Sequence, residues 1–348
     1  MIGNRFGLGK EFEKGFLLLG QLVLSMMGMI IIAPLLADLL APFFDFVYRV
    51  CHIEPSIISA SIFANDMGGA PLAVEIAGDA RMGLYNGMVV ASMMGATVSF
   101  SIPYALGAVK KEKQRALMLG LLAGIVTVPI GCVVGGLFCG IGLLPLLLNL
   151  LPLIVFAALI ALGLLLFPGA CVKAFHALGI LIRIGITIGL MLGIVQILLG
   201  KKLFSGAADG SEAVAICLNA ATLMAGAFPL LLILSKLLRR PMRCLGNVMG
   251  IGEKATLGFF STLANNVSTF EMMNEMDDKG VVLNAAFAVS ASFILADHLA
   301  FTLAYEPTYL LPMTLAKVVA GISAVVFALA VHCKTEKKKG NGVANDAA

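Results

Sequence analysis

Charge is scarce in this chain. Only 13 per cent of its 348 residues are Asp, Glu, Lys or Arg, against roughly a quarter in a soluble domain. With 60 per cent apolar residues and a mean hydropathy of +1.00, the chain reads as an all-α polytopic membrane protein with the lipid bilayer as its solvent. The small excess of +4 sits mostly in loops, which argues for membrane topology over nucleic-acid binding, so no nucleic acid is expected as a partner. Catalytic motifs are missing as well. There is no H-E-x-x-H, G-x-S-x-G, Walker or dinucleotide loop, and neither an enzyme nor a cofactor is expected. No C-x-x-C joins the seven cysteines; Cys132, Cys139, Cys171 and Cys217 lie in apolar runs and read as small packing residues, not metal ligands or disulfides. The opening MIGNRFGLGKEFEK lacks the apolar run of a signal peptide.

Long apolar runs make up most of what remains. They predict about eight transmembrane helices: Phe16–Ala37, Met82–Val109, Ala116–Gly140, Leu146–Phe167, Ala177–Leu199, Val214–Leu238, Val281–Ala304 and Leu310–Val331. Asp38–Glu54, with Phe43, Phe44, Phe46 and Tyr48, reads as interfacial. Two further segments are too polar at their centres to cross. Pro55–Asp79 is interrupted by Asn65-Asp66 and then Gly68, Gly69 and Pro71, and Thr256–Asp278 repeats the design about the Asn265-Asn266 pair. At an offset of 200, Ala64, Asn65, Glu75, Val89, Ala91 and Ser92 meet identical residues. Paired broken segments in two halves of a membrane chain point to a transporter's binding site.

Charge then sets the topology. If the two broken segments are re-entrant hairpins, the N-terminus, Lys110–Arg115, Arg239–Arg243 and the lysines at 337–339 all share the cytoplasmic side. Five spans separate the hairpins, so they enter from opposite faces, as in an inverted repeat. The expected domains are a first repeat over 1–140 (hairpin 55–79), a linker helix over 141–176, a second repeat over 177–333 (hairpin 255–278) and a disordered cytoplasmic tail over 334–348. Ala177–Leu199 has no counterpart in the first half, which reads as a missing leading helix and a truncated or alternative start.

Five stretches carry a resemblance: N-D-M-G-G at Asn65–Gly69, G-A-T-V-S-F-S-I-P-Y-A-L-G at Gly95–Gly107, L-A-G-I-V-T-V-P-I-G-C at Leu122–Cys132, S-T-L-A-N-N at Ser261–Asn266 and N-A-A-F-A-V-S-A-S-F-I-L-A-D-H-L at Asn284–Leu299. The chain resembles, from about Glu11 to its last span, the ethanolamine permeases of bacterial ethanolamine-utilisation operons. Members of that family usually begin with one more helix, in line with the gap above. The resemblance implies a multi-pass protein of the inner (plasma) membrane that carries ethanolamine into the cell, with a homodimer left open.

Ethanolamine is a small ammonium with a hydroxyl, so its site needs a carboxylate or an aromatic face and a few amide or hydroxyl partners. Asp66 is the leading cation partner; the alternative is that it caps a helix beginning near Gly68. Asn65, Asn265 and Asn266 either bind the hydroxyl or satisfy unwound backbone. Asp297 and His298, inside an apolar run, contribute to the site, relay a proton or pair with each other. Glu271 is a further substrate-binding candidate, whereas Glu75 and Glu275 are as readily interfacial charges as ligands. Arg183 reads as a snorkelling side chain. The rival readings are a secondary transporter of another small polar solute, ion-coupled or not, and an intramembrane enzyme using Asp66 or Asp297 and His298 as acid or base.

Overall fold

The computed structural model describes the backbone of residues 7–202 and 204–345, with their side chains except at 172, 234, 235, 238–243, 245 and 332–345. Every regular element among the described residues is helical. A long first helix, α1 (Leu8–Cys51), is followed by two short ones, α2 (Ser56–Ile62) and α3 (Gly69–Ile76). Then come α4 (Ala80–Ala108), α5 (Gln114–Phe138), α6 (Leu143–Leu166), α7 (Pro168–Leu199) and α8 (Gly210–Met249). A second short pair, α9 (Glu253–Ala264) and α10 (Asn266–Met272), precedes α11 (Asp278–Ala291), α12 (Asp297–Tyr305) and α13 (Leu310–Asn345). Among the described residues, seven stretches are long and apolar enough to cross a bilayer. Helices are favoured there because hydrocarbon offers backbone groups no partner outside the segment itself. Leu144, Leu148, Leu151 and Leu159 recur at helical spacing along α6 and lie exposed, as suits a face in lipid.

Close contact between backbones holds the bundle, since lipid supplies no hydrophobic drive between helices. Gly120 and Gly124 of α5 face α11, and Gly131 and Gly135 face α13. A Cβ at Gly120 would stand 2.3 Å from the Val282 carbonyl oxygen, and one at Gly131 2.3 Å from that of Ala316. A larger apolar cluster gathers α2, α4, α5, α6, α9, α11 and α13; a smaller one gathers α1, α8 and α12. Helix α4 serves each of them, Val89 in the larger and Met88 in the smaller.

One expected span is corrected. Val281–Ala304 is not a continuous helix: α11 ends at Ala291, Ser292 is extended, Phe293 has φ 62, and α12 restarts at Asp297. The freed backbone pairs with the end of α9, Phe293 N–H donating to the Thr262 carbonyl at 3.1 Å and Leu295 N–H to that of Leu263 at 2.9 Å. No glycine or proline marks the break, so an apolar pattern reads straight through it. Elsewhere α1 continues past Pro34 and Pro42 and absorbs most of Asp38–Glu54, and α8 runs through the arginine-rich stretch 239–243 expected as a loop. Helix α13 continues to Asn345, over most of the stretch 334–348 that composition reads as an unstructured tail; side chains there lie outside the described residues.

The two short-helix pairs are each tied at their feet. Gly78 N–H donates to Glu54 Oε1 at 2.9 Å across the ends of α2–α3, and Lys254 pairs with Glu275 at 2.8 Å across the ends of α9–α10. Arg81, just beyond the first pair, donates to the Cys139 and Gly140 carbonyls at the C-terminal end of α5. Asn274 and Asp278, at the second pair, hold Lys110 N–H and Lys113 at 2.8 Å at its N-terminal end. The feet thus lie at opposite ends of a 25-residue helix, about 37 Å long. Single cysteines replacing Ala80 and Asp277 on a cysteine-free background should therefore react with a membrane-impermeant maleimide from opposite sides of the membrane. Labelling from one side only would contradict this arrangement.

Candidate functional site

Three interruptions of helical backbone converge. Between α2 and α3 the chain folds around the Ala64 carbonyl, which accepts from Met67 N–H at 3.1 Å and Gly69 N–H at 2.7 Å. Gly68 takes φ +100, a left-handed conformation open to glycine, and a Cβ there would meet Met29 Cε at 2.3 Å. The turn Asn65–Met67 is presented between the half-helices. The second interruption is at Asn265 between α9 and α10, and the third is the Ser292–Ala296 break.

Asp66 lies in the Asn65–Met67 turn that leads into α3, and Asp297 begins α12. Unpaired N–H groups and the helix dipole favour negative charge at such half-helix N-termini. Buried His298 holds its Nε2 3.7 Å from Asp66 Oδ1, and its Nδ1 lies 2.9 Å from Lys317 Nζ. Lys317 of α13 is fully buried and also donates to the Ser92 carbonyl at 2.5 Å. An ammonium can only donate, so Nδ1 accepts and the imidazole proton is assigned to Nε2, towards Asp66. Asp297 precedes His298 at the start of α12, the helix that packs against the Asn65–Met67 turn.

Other polar atoms stand open. Asn65 is fully buried, and neither end of its carboxamide finds a hydrogen-bond partner among the described residues; the same holds for Asp66 Oδ1 and for Thr302 Oγ1 on α12. The start of α3 has no side-chain cap hydrogen bond, although the backbone N–H groups of Asp66 and Met67 approach the Asp66 carboxylate.

The structure brings Asn65, Asp66, Asp297 and His298 together. It places the other expected site residues elsewhere. Asn265 is exposed and caps α10, accepting from Val267 N–H at 2.8 Å. Buried Asn266 donates to Ser101 Oγ at 2.8 Å and ties α10 to α4, leaving its Oδ1 unpartnered among the described residues. Exposed Glu271 accepts from Tyr104 Oη at 3.0 Å. Sequence reasoning missed Lys317, although a lone lysine inside the apolar run Leu310–Val331 was a readable signal. It also missed Ser92, whose carbonyl is offered by the π-helical stretch Asn86–Gly95, where the wider turn departs from the regular ladder.

A groove of about 640 Å³ comes as near to this cluster as Met67, the neighbour of Asp66 in the chain, with Ser99, Phe100, Tyr104, Arg183 and Ile186 also among its walls. From it an aromatic run leads inward. Tyr104 stacks on Phe100 at 5.9 Å, Phe100 meets Phe293 edge-on at 5.8 Å, and Phe293 lies 5.2 Å from the His298 ring.

Helices long and apolar enough to cross a bilayer, seven among the described residues, define a multi-pass membrane protein, and polar interruptions that meet between its helices suit a transporter. The particular family follows from comparison with known proteins. A model of the ethanolamine utilisation protein EutH family matches residues 1–331, and the chain belongs to that family. It is 41% identical over 338 residues to the "Probable ethanolamine permease EutH" of Listeria monocytogenes, covering 97% of this chain and 91% of that one. The protein of the same name in Escherichia coli is 38% identical over 347 residues, covering 93% and 85%. An uncharacterised protein of Bacillus subtilis, YxeR, is 35% identical over 327 residues, covering 94% and 88%. No solved structure matches the chain.

The tip depends on Gly68. Gly68→Ala adds left-handed strain of about 1–2 kcal/mol and a clash with Met29. The variant should melt several degrees lower, and Met29→Ala should restore only part of the loss. Full rescue by Met29→Ala would show that backbone strain is not the cause.

Proposed function

We propose that this chain is a permease that carries ethanolamine, as the protonated amino alcohol, across the inner membrane into the cell for its catabolism. One observation carries the reading: Asp66, a half-buried carboxylate whose Oδ1 is buried with no hydrogen-bond partner among the described residues, adjoins a buried carboxamide, Asn65, with none either. The first suits an ammonium and the second a hydroxyl, the two ends of this cargo. Family membership and the permease names of the relatives favour the same cargo and a transporter, not an enzyme. The aromatic run from Tyr104 to His298 offers ring faces to a cation on its way in, and Glu271 adds a carboxylate at the outer end of that run.

The two short-helix pairs are read as re-entrant hairpins of an inverted repeat, spanning 1–140 and 177–333 with 141–176 as linker, and the cycle as alternating access between them. Supporting this, their feet lie at opposite ends of α5. Their tips also dock at equivalent places. Ala64 N–H donates to Ser99 Oγ and the Phe63 carbonyl abuts Gly95, both on α4, whereas Thr262 and Leu263 receive Phe293 and Leu295 N–H from the break just after α11.

Purified protein in liposomes should accumulate labelled ethanolamine, and small amines without a hydroxyl should compete less well. Asp66→Asn keeps size and hydrogen bonding but removes the charge. A charge-assisted contact is worth roughly 1.5–3 kcal/mol, so apparent affinity should fall about tenfold or more. Unchanged uptake kinetics at normal expression would remove Asp66 from the site.

A further inference from the structure

The buried face of α13 is built from Met313, Ala316, Ala320 and Ala324, and among them stands Lys317 with no exposed surface. Two hundred positions earlier, Leu117 is equally buried on α5, so packing at this place in the bundle does not call for a charge. An ionisable group at membrane depth is costly and is retained where it has partners and a task. The partners of Lys317 are the Ser92 carbonyl and His298 Nδ1, and the Asp66 carboxylate lies on the far side of the imidazole. Asp297 precedes His298 on the helix packed against the Asn65–Met67 turn, so the cluster holds two carboxylates, Asp66 and Asp297, and one fixed amine. With all three ionised and the imidazole neutral, one negative charge is in excess.

We propose that Lys317 is the resident cation of the transport site and sets its specificity for a single monovalent ammonium. This rests on the reading that places the substrate ammonium at Asp66. With Lys317 present, one bound alkylammonium brings Asp66, Asp297, Lys317 and cargo to zero net charge, the state least costly to hold away from water. Lys317 Nζ also occupies, between a backbone carbonyl and the half-helix tip, the kind of place that a coupling sodium ion takes in transporters with broken helices. The tethered ammonium leaves no vacancy for that ion, and the carrier binds its amine without sodium.

The test is equilibrium binding of labelled ethanolamine to the purified full chain, in mannitol medium with and without sodium chloride. The forms compared are wild type, Lys317→Met, Asp297→Asn and the double variant, each checked by thermal melting. Wild-type affinity should not respond to sodium. Lys317→Met should bind about tenfold more weakly without sodium and recover when it is added. Asp297→Asn should weaken binding by a similar factor with no recovery, and the double variant, again with one excess carboxylate, should return to wild-type, sodium-independent binding. Sodium-dependent wild-type binding, or a folded double variant no tighter than either single one, overturns the proposal. If Lys317→Met does not fold, a folded and binding-competent double variant supports the charge count, and a double variant that also fails overturns it. Absence of ethanolamine binding by folded wild type instead refutes the functional reading on which this one rests.

Discussion

Backbone groups that leave a helix inside a bilayer must find partners within the protein, and much of this site follows from that constraint. The break after α11 exists because the Thr262 and Leu263 carbonyls at the end of α9 receive the N–H groups of Phe293 and Leu295. Without that docking, Ser292–Ala296 would leave two donors in a medium that offers none, a cost of several kcal/mol. With it, α12 begins at Asp297, and a second half-helix N-terminus faces the tip that bears Asp66. One loop stabilises the other, and the charged side chains occupy the space between them.

The charges follow the same logic. Asp66 and Asp297 sit where half-helix dipoles favour anions, and Lys317 approaches Asp66 from a third helix through His298. Glycines and alanines on α5, α11 and α13 bring the helix carrying Lys317 close enough to do so, because backbones in contact leave its side chain no route to water. Close packing and polar chemistry are here one arrangement, and α4, with Ser92 in its π-helical stretch, belongs to each.

Much of this was legible from residue order. The membrane class followed from scarce charge and long apolar runs, and the tips at Asn65 and Asn265 followed from polar residues interrupting them. Asp66, Asp297 and His298 were readable because an ionisable residue in an apolar run has few bland explanations. Lys317 was equally readable and was passed over. Asn265 and Glu271 look like site residues in sequence, yet the first caps α10 and the second meets Tyr104 at an exposed position. Pattern shows that a residue is polar and where its helix breaks, but not which way its side chain faces.

The sequence by itself determined the solvent, the helical class, the places where helices carry polar interruptions and the family resemblance, because each is a local property of composition and order. Tertiary structure alone decided that the run Val281–Ala304 is broken, since the Thr262 and Leu263 carbonyls that open it lie about thirty residues away in sequence. It alone joined Asp66, His298 and Lys317, which stand on three separate elements. Only packing that excludes water makes such distant groups each other's nearest polar partners.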